Sequence, residues 1–157
     1  MFISFFLTFI QTGLLNRNAY EKYAIECQNR IFPKITCIYI DVNGLHDINN
    51  QYGHAAGDQM LLTVADTLKE YFRKHLIYRI GGDEFVVLCE GEKVETYEMN
   101  MKKAEKQINM QNYSISYGIV TLEDETGIDH VTKKADERML EHKGEYYKLH
   151  DRRQRHS

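Results

Sequence analysis

The sequence holds one proline, no tryptophan, three cysteines and no surplus of basic charge. Each shortage excludes something. With so little proline, 43% hydrophobic and 27% charged residues over 157 positions, the chain is neither disordered nor collagen-like, and it is long enough to bury a core without staples. Cys27, Cys37 and Cys89 are odd in number and far apart, which leaves no disulfide framework and no C-x-x-C motif. They read as small buried hydrophobes in a reducing, cytoplasmic compartment. The seven histidines form no H-E-x-x-H or Cys/His ligand pattern, so a metal would have to be held by oxygen ligands. Against 20 basic residues stand 23 acidic ones, and the net charge of -3 argues against nucleic acid as a partner.

A long hydrophobic run is missing too. Eight of the residues from Met1 to Ile10 are apolar, yet a spanning helix needs roughly 20, and Gln11, Thr12, Asn16 and Arg17 follow at once. No Lys or Arg precedes Arg17, so the charged start of a secretory signal is absent. Residues 1–11 are therefore set apart as an apolar segment with two open readings: a piece that packs on the domain or a partner, or the end of an upstream membrane or sensor region. Residues 12–157 form the domain proper.

What is present is periodic. Tyr20, Ala24, Cys27 and Ile31 share one face of a first helix that starts near Asn16 or Asn18 and stops before Pro33. Ile35 to Val42 is apolar at nearly every position, the mark of a central strand, and ends in Asp41 before Asn43-Gly44. A polar loop runs to about Gly57, and a helix from Asp58 carries Met60, Leu61, Val64, Ala65, Leu68, Tyr71 and Phe72. Leu76 to Ile80 and Phe85 to Cys89 make a hairpin around Gly81-Gly82-Asp83-Glu84. A helix with Val94, Tyr97, Met101, Ala104 and Ile108, a strand from Tyr113 to Val120 and a last helix from about Asp129 complete the order. This is an α+β chain with a β-α-β-β-α-β, ferredoxin-like core, an antiparallel sheet with helices on one face, plus added N- and C-terminal helices.

In that arrangement the first core strand lies beside the hairpin, so Asp41 faces Asp83 and Glu84. Carboxylates gathered in this way repel one another, and a hard divalent ion such as Mg²⁺, or Mn²⁺, suits them. The plainer reading of Asp83 and Glu84 is that they are hairpin-turn residues, where Asp and paired glycines are common.

Several spaced motifs bear on that choice together. Arg79-Ile80-Gly81-Gly82-Asp83-Glu84-Phe85 resembles the signature of GGDEF domains, the diguanylate cyclases. Thr12-Gly13-Leu14-Leu15-Asn16-Arg17 is similar to the family's opening motif. Ile40 to Leu45 and Ile48 to Asp58 resemble its strand-one Asp and following loop, and Ser114 to Ile119 with Ala135 to Met139 and Lys143 resemble its last strand and helix.

The resemblance implies condensation of two GTP into cyclic di-GMP with release of two pyrophosphates across a homodimer. It implies that Asp41, the Val42 carbonyl and Asp83 hold Mg²⁺, with Asp83 also accepting the 3′-hydroxyl proton and Glu84, the other catalytic carboxylate, supporting the metals. Backbone amides from Gly44 through Leu45 to His46 would cradle phosphates, with Gly81 and Gly82 close to the substrate and Lys143 as a further phosphate ligand. Asn49 and Asp58 match guanine-reading positions and His54 a further substrate contact. For Asn49 and Asp58 the alternatives are a loop residue and a helix N-cap.

Departures from the pattern are as informative. His46 stands where a phosphate-binding Lys is frequent, Tyr147 where an Arg is frequent, and Asn43 replaces a second Asp. Both of the first two reduce the positive charge offered to a triphosphate. They keep open a second reading, a weak or non-catalytic GGDEF module that binds GTP or a protein partner and signals through conformation, and a third, a domain whose activity requires an upstream sensor to bring two copies together. Many relatives also bind their product at an R-x-x-D motif; here Phe72 and His75 occupy those two positions, so no product inhibition through that site is expected.

Overall fold

The computed structural model of the chain describes residues 12–155, and the apolar segment 1–11 lies outside them. The elements in chain order are β1 (Leu15–Asn16), α1 (Arg17–Glu26), β2 (Ile31–Asn43), α2 (Leu45–Tyr52), α3 (His54–Tyr71), β3 (Leu76–Arg79), β4 (Glu84–Cys89), α4 (Val94–Met110), β5 (Ser114–Thr126) and α5 (Asp129–Arg155). Five strands form one sheet in the order β1-β3-β4-β2-β5. From β2 onward the chain runs β-α-β-β-α-β with α2 inserted, the expected core. The sheet is mixed and not purely antiparallel, because the short β1 adds to β3 in parallel.

Helices cover both faces, which corrects the one-face expectation. Side chains alternate across a strand, so Ile38, Ile40 and Val42 of β2 join Phe85 and Val87 of β4 against Met60, Val64 and Leu68 of α3 and Met101 and Ile108 of α4. Cys37 and Tyr39 point the other way with Val86 and Leu88, against α5 residues Val131, Ala135 and Met139 and, at the margin, Tyr20 and Ala24 of α1. The added terminal helices thus build the second layer. Asp41 and Asn43 continue the Cys37–Tyr39 face, which sets the carboxylate of Asp41 beneath α5.

Three local expectations change. The first helix ends at Glu26, capped at its start by the Asn16 side chain, which accepts from the Ala19 N–H at 2.7 Å. Strand β2 then begins at Ile31 and runs through Pro33. It can do so because that end pairs with β5 alone; pairing with β4 begins at Thr36, so the missing N–H of Pro33 interrupts no central ladder. The expected loop before Gly57 contains all of α2 and the first turn of α3. Gly44 opens α2 with φ of 76°, a conformation costly for residues with a Cβ.

Candidate functional site: a three-carboxylate cluster under the last helix

Sheet register builds the site. Asp41 of β2 lies directly opposite Glu84, the first residue of β4. The turn between β3 and β4 is fixed by backbone: the Val42 N–H donates to the Asp83 carbonyl at 2.9 Å, and the Ile80 N–H to the Glu84 carbonyl at 3.0 Å. Arg79 braces the same turn from outside, donating to the Gly82 carbonyl at 2.9 Å. As a result one carboxylate oxygen each of Asp41, Asp83 and Glu84 lie within 4.8 Å of one another.

The side chain of Asp41 is the most constrained of the three. The residue is 2% exposed. Its Oδ2 accepts from Lys143 Nζ of α5 at 2.5 Å, while its Oδ1 is buried with no hydrogen-bond partner. Burial pushes the Asp41 carboxyl up to about 6 even though Lys143 opposes the shift, and the Asp83 charge adds to it. For Lys143 burial works the other way, but its pairing with Asp41 outweighs that and raises its pKa. An oxygen-only donor set, mutually repelling charges and an orphaned buried carboxylate oxygen together fit a hard divalent cation.

This shift has a measurable sign. A folded-state pKa of about 6 against an unfolded value of about 4 means that the folded chain holds the proton more tightly. The group contributes stability below about pH 4 that is lost as pH rises through about 6. Thermal melts in chelator between pH 4 and 7 should therefore fall more steeply with rising pH for the wild type than for Asp41→Asn. Parallel profiles would show that the Asp41 carboxyl is not perturbed.

Two neighbours of the cluster were not singled out from sequence. Tyr39 donates its hydroxyl to Glu84 Oε2 at 2.8 Å; burial first, then the Glu84 carboxylate, push its phenol well above the ordinary range. Asp136 of α5 lies close enough to Glu84 that, after burial, the Glu84 charge raises its carboxyl. A tyrosine in an apolar strand reads as core, and an Asp on an amphipathic helix reads as solvated, so neither gave a signal of its own.

The remaining expected residues group around α2 and α3. The N–H groups of the first turn of α2, at Leu45 and His46, follow Gly44 with no side-chain cap over them. His46 is exposed, and its Nε2 lies 3.0 Å from Asn50 Nδ2 one turn along. Asn49 is half-buried, its Oδ1 enclosed without a partner. It fits only because residue 57 is glycine: a Cβ there would come within 1.8 Å of that oxygen. Asp58 is the fifth residue of α3 and exposed, and the cap position belongs to Gly53, so the N-cap alternative for Asp58 is overturned. His54 is exposed at the first position of α3. Arg79 connects the two groups: burial lowers its pKa, and the charges of Asp58 and Asp83 oppose that.

Asn43 has a structural task. Buried at the end of β2, it donates to Ser114 Oγ at 3.0 Å and accepts from Ser116 Oγ at 2.9 Å, tying β2 to β5 beside the cluster. Phe72 is fully buried in the core at the end of α3, and His75 packs edge-on against Tyr97 at 5.2 Å.

Comparison with known proteins decides the family. The family model described as "Diguanylate cyclase, GGDEF domain" matches residues 10–147. The chain belongs to the GGDEF family. Among curated relatives, the GGDEF chain is 29% identical over 144 residues to diguanylate cyclase DgcM of Escherichia coli strain K12, covering 85% of this chain and 35% of that one. It is 33% identical over 117 residues to the cyclic di-GMP phosphodiesterase PdeB of Shewanella oneidensis, covering 69% of this chain and 13% of that one. The chain thus spans about a third or less of these relatives. The fold matches the active GGEEF domain of a diguanylate cyclase from Vibrio cholerae with a TM-score of 0.71 at 23% identity, over 84% of this chain and 92% of that one. Among the described residues no helix is long and apolar enough to cross a membrane.

Proposed function

We propose that this GGDEF domain is a diguanylate cyclase that condenses two GTP into cyclic di-GMP and two pyrophosphates, acting as a homodimer with one GTP per protomer. The observation that carries the reading is the carboxylate triad, in which the buried Asp41 keeps one oxygen, Oδ1, unpartnered. Asp41, Asp83 and Glu84, with the Val42 carbonyl, would hold Mg²⁺ or Mn²⁺, which supplies Lewis-acid stabilisation of charge on the reacting phosphoryl oxygens.

The chain's own residues do the rest. Asp83, at the tip of the hairpin and half-buried, accepts the proton of the attacking 3′-hydroxyl. The new bond joins that oxygen to the α-phosphorus of the other GTP as the bond to pyrophosphate breaks in line. Free N–H groups of Gly44, Leu45 and His46, with Gly81 and Gly82 leaving room, receive the phosphates. Lys143, now on Asp41, is placed to follow the negative charge from the carboxylate to the nucleotide. Asp58 and Asn49 read guanine, because a carboxylate accepts from its N1-H and N2-H₂ donors, whereas adenine offers an acceptor at N1 and would leave the acid unpaired. His54 flanks that pocket. A reaction that consumes GTP fits a cytoplasmic domain, and in this reading a sensor domain or membrane segment would serve as the partner that brings two copies together.

The second reading, a GGDEF module that binds without turnover, is favoured by His46 and Tyr147 at positions of weakened positive charge and by the match to a relative named as a phosphodiesterase. Incubating the protein with GTP and Mg²⁺, as isolated and as a forced dimer, separates the two. Cyclic di-GMP from the dimer supports the cyclase; none from either form sinks it. Within the cyclase reading, His46→Lys should lower the apparent KM for GTP a few-fold at low ionic strength and less at high salt. No change even at low ionic strength would mean that position 46 faces away from the phosphates.

A further inference from the structure

Tyr39 is 8% exposed, two residues before Asp41 on β2, so both side chains leave the same face of the sheet. Glu84 lies directly opposite Asp41, which makes Tyr39 its diagonal cross-strand neighbour. The ring belongs to the same buried cluster as Tyr78, Val86, Ala135 and Met139, and only its hydroxyl reaches the acidic group. Glu84 has acidic neighbours on two sides, Asp41 and Asp83 within the triad and Asp136 on α5. A carboxylate so placed, with no donor, would be driven by repulsion to turn away toward solvent.

We propose that Tyr39 is a positioning residue: its hydroxyl, 2.8 Å from Glu84 Oε2, holds Glu84 turned inward so that the triad can bind a divalent cation as one site. The inference rests on reading the triad as a metal site. A hydrogen bond from behind a ligand fixes its orientation, and losing such a bond lowers metal affinity about tenfold to a hundredfold. Nothing else donates to Glu84 Oε2 among the described residues, so the effect is concentrated in one hydroxyl.

The test is Mn²⁺ binding to the nucleotide-free protein, read from the electron paramagnetic resonance signal of the unbound ion, for the wild type, Tyr39→Phe, Tyr20→Phe and Asp83→Asn. Tyr20 is a matched control, since its hydroxyl donates in the same layer to the Thr132 hydroxyl, at 3.0 Å from Oγ1, and not to a carboxylate of the triad. Tyr39→Phe keeps the ring and should melt like Tyr20→Phe, yet its Kd for Mn²⁺ should rise about tenfold while Tyr20→Phe stays at the wild-type value. In turnover, Tyr39→Phe should need correspondingly more Mg²⁺ for half-maximal rate and recover kcat at saturating metal. An unchanged Mn²⁺ affinity in Tyr39→Phe, with Asp83→Asn clearly weakened, overturns the role of Tyr39 alone. A wild type that binds no Mn²⁺, or an Asp83→Asn that binds it as well as the wild type, overturns the metal site together with it.

Discussion

Asp83→Asn should reduce cyclic di-GMP formation by on the order of 100-fold or more while leaving the fold intact. A residue behind a metal ligand is worth about tenfold to a hundredfold, so if Asp83 is, as proposed, a direct ligand that also accepts the hydroxyl proton, its loss should cost at least the upper figure. The fold has no reason to fail. What holds the turn is the Asp83 backbone carbonyl, which accepts from the Val42 N–H, and that group survives the substitution. Without metal, removing one of three crowded negative charges should leave Tm unchanged or raise it, because the Asp83 charge is among the causes that push the Asp41 carboxyl up. The distinguishing measurement is the Tm gain on adding Mg²⁺, which should be present in the wild type and lost in Asp83→Asn. Retained turnover in a folded Asp83→Asn protein would remove Asp83 from the mechanism.

The triad was legible in the sequence because two independent local signals meet there: an apolar run that ends abruptly in Asp41, and a Gly-Gly turn that throws Asp83 and Glu84 to the end of a hairpin. Register then converts sequence distance into contact, placing Asp41 opposite Glu84. What could not be read is equally specific. Leu45, Ile48 and Tyr52 do step by three and four along α2, but the segment is only eight residues long and polar at its other positions, so it passed for loop, although Gly44 and Gly53 bracket it as its caps. Pro33 looked like a helix stop and lies inside β2, since the cost of a missing N–H depends on whether a neighbour strand is present, which only the sheet reveals. Tyr39 looked apolar because the partner of its hydroxyl is 45 residues away. The second helical layer was visible as two terminal helices, but the face they cover follows from the alternation of β2, not from their own patterns.

Gly118 carries the other large effect, on stability. It lies in β5 opposite Tyr39, beneath α5, and a Cβ there would meet the Ala135 carbonyl oxygen at 2.4 Å, Arg138 Cβ at 2.6 Å and the Met139 nitrogen at 2.6 Å. Two of these are backbone atoms of a helix and cannot swing aside, so Gly118→Ala must push α5 off the sheet. Overpacking of this kind costs about 1–3 kcal/mol, and contact with backbone belongs at the upper end, about 3 kcal/mol. In a domain of this size that lowers Tm by about 6–12 °C. The displacement should also be felt one turn beyond, where Lys143 on the same helix reaches Asp41, so metal affinity and GTP turnover should change along with stability. Gly144→Ala supplies the contrast on the same helix. Nothing lies within 4 Å of a Cβ at position 144, and replacing an interior helical glycine by alanine favours the helix by about 0.5–1 kcal/mol. Thermal melts of the two variants should therefore move in opposite directions. If Gly118→Ala melts with the wild type, α5 does not pack at this distance and the placement of Lys143 over Asp41 falls with it.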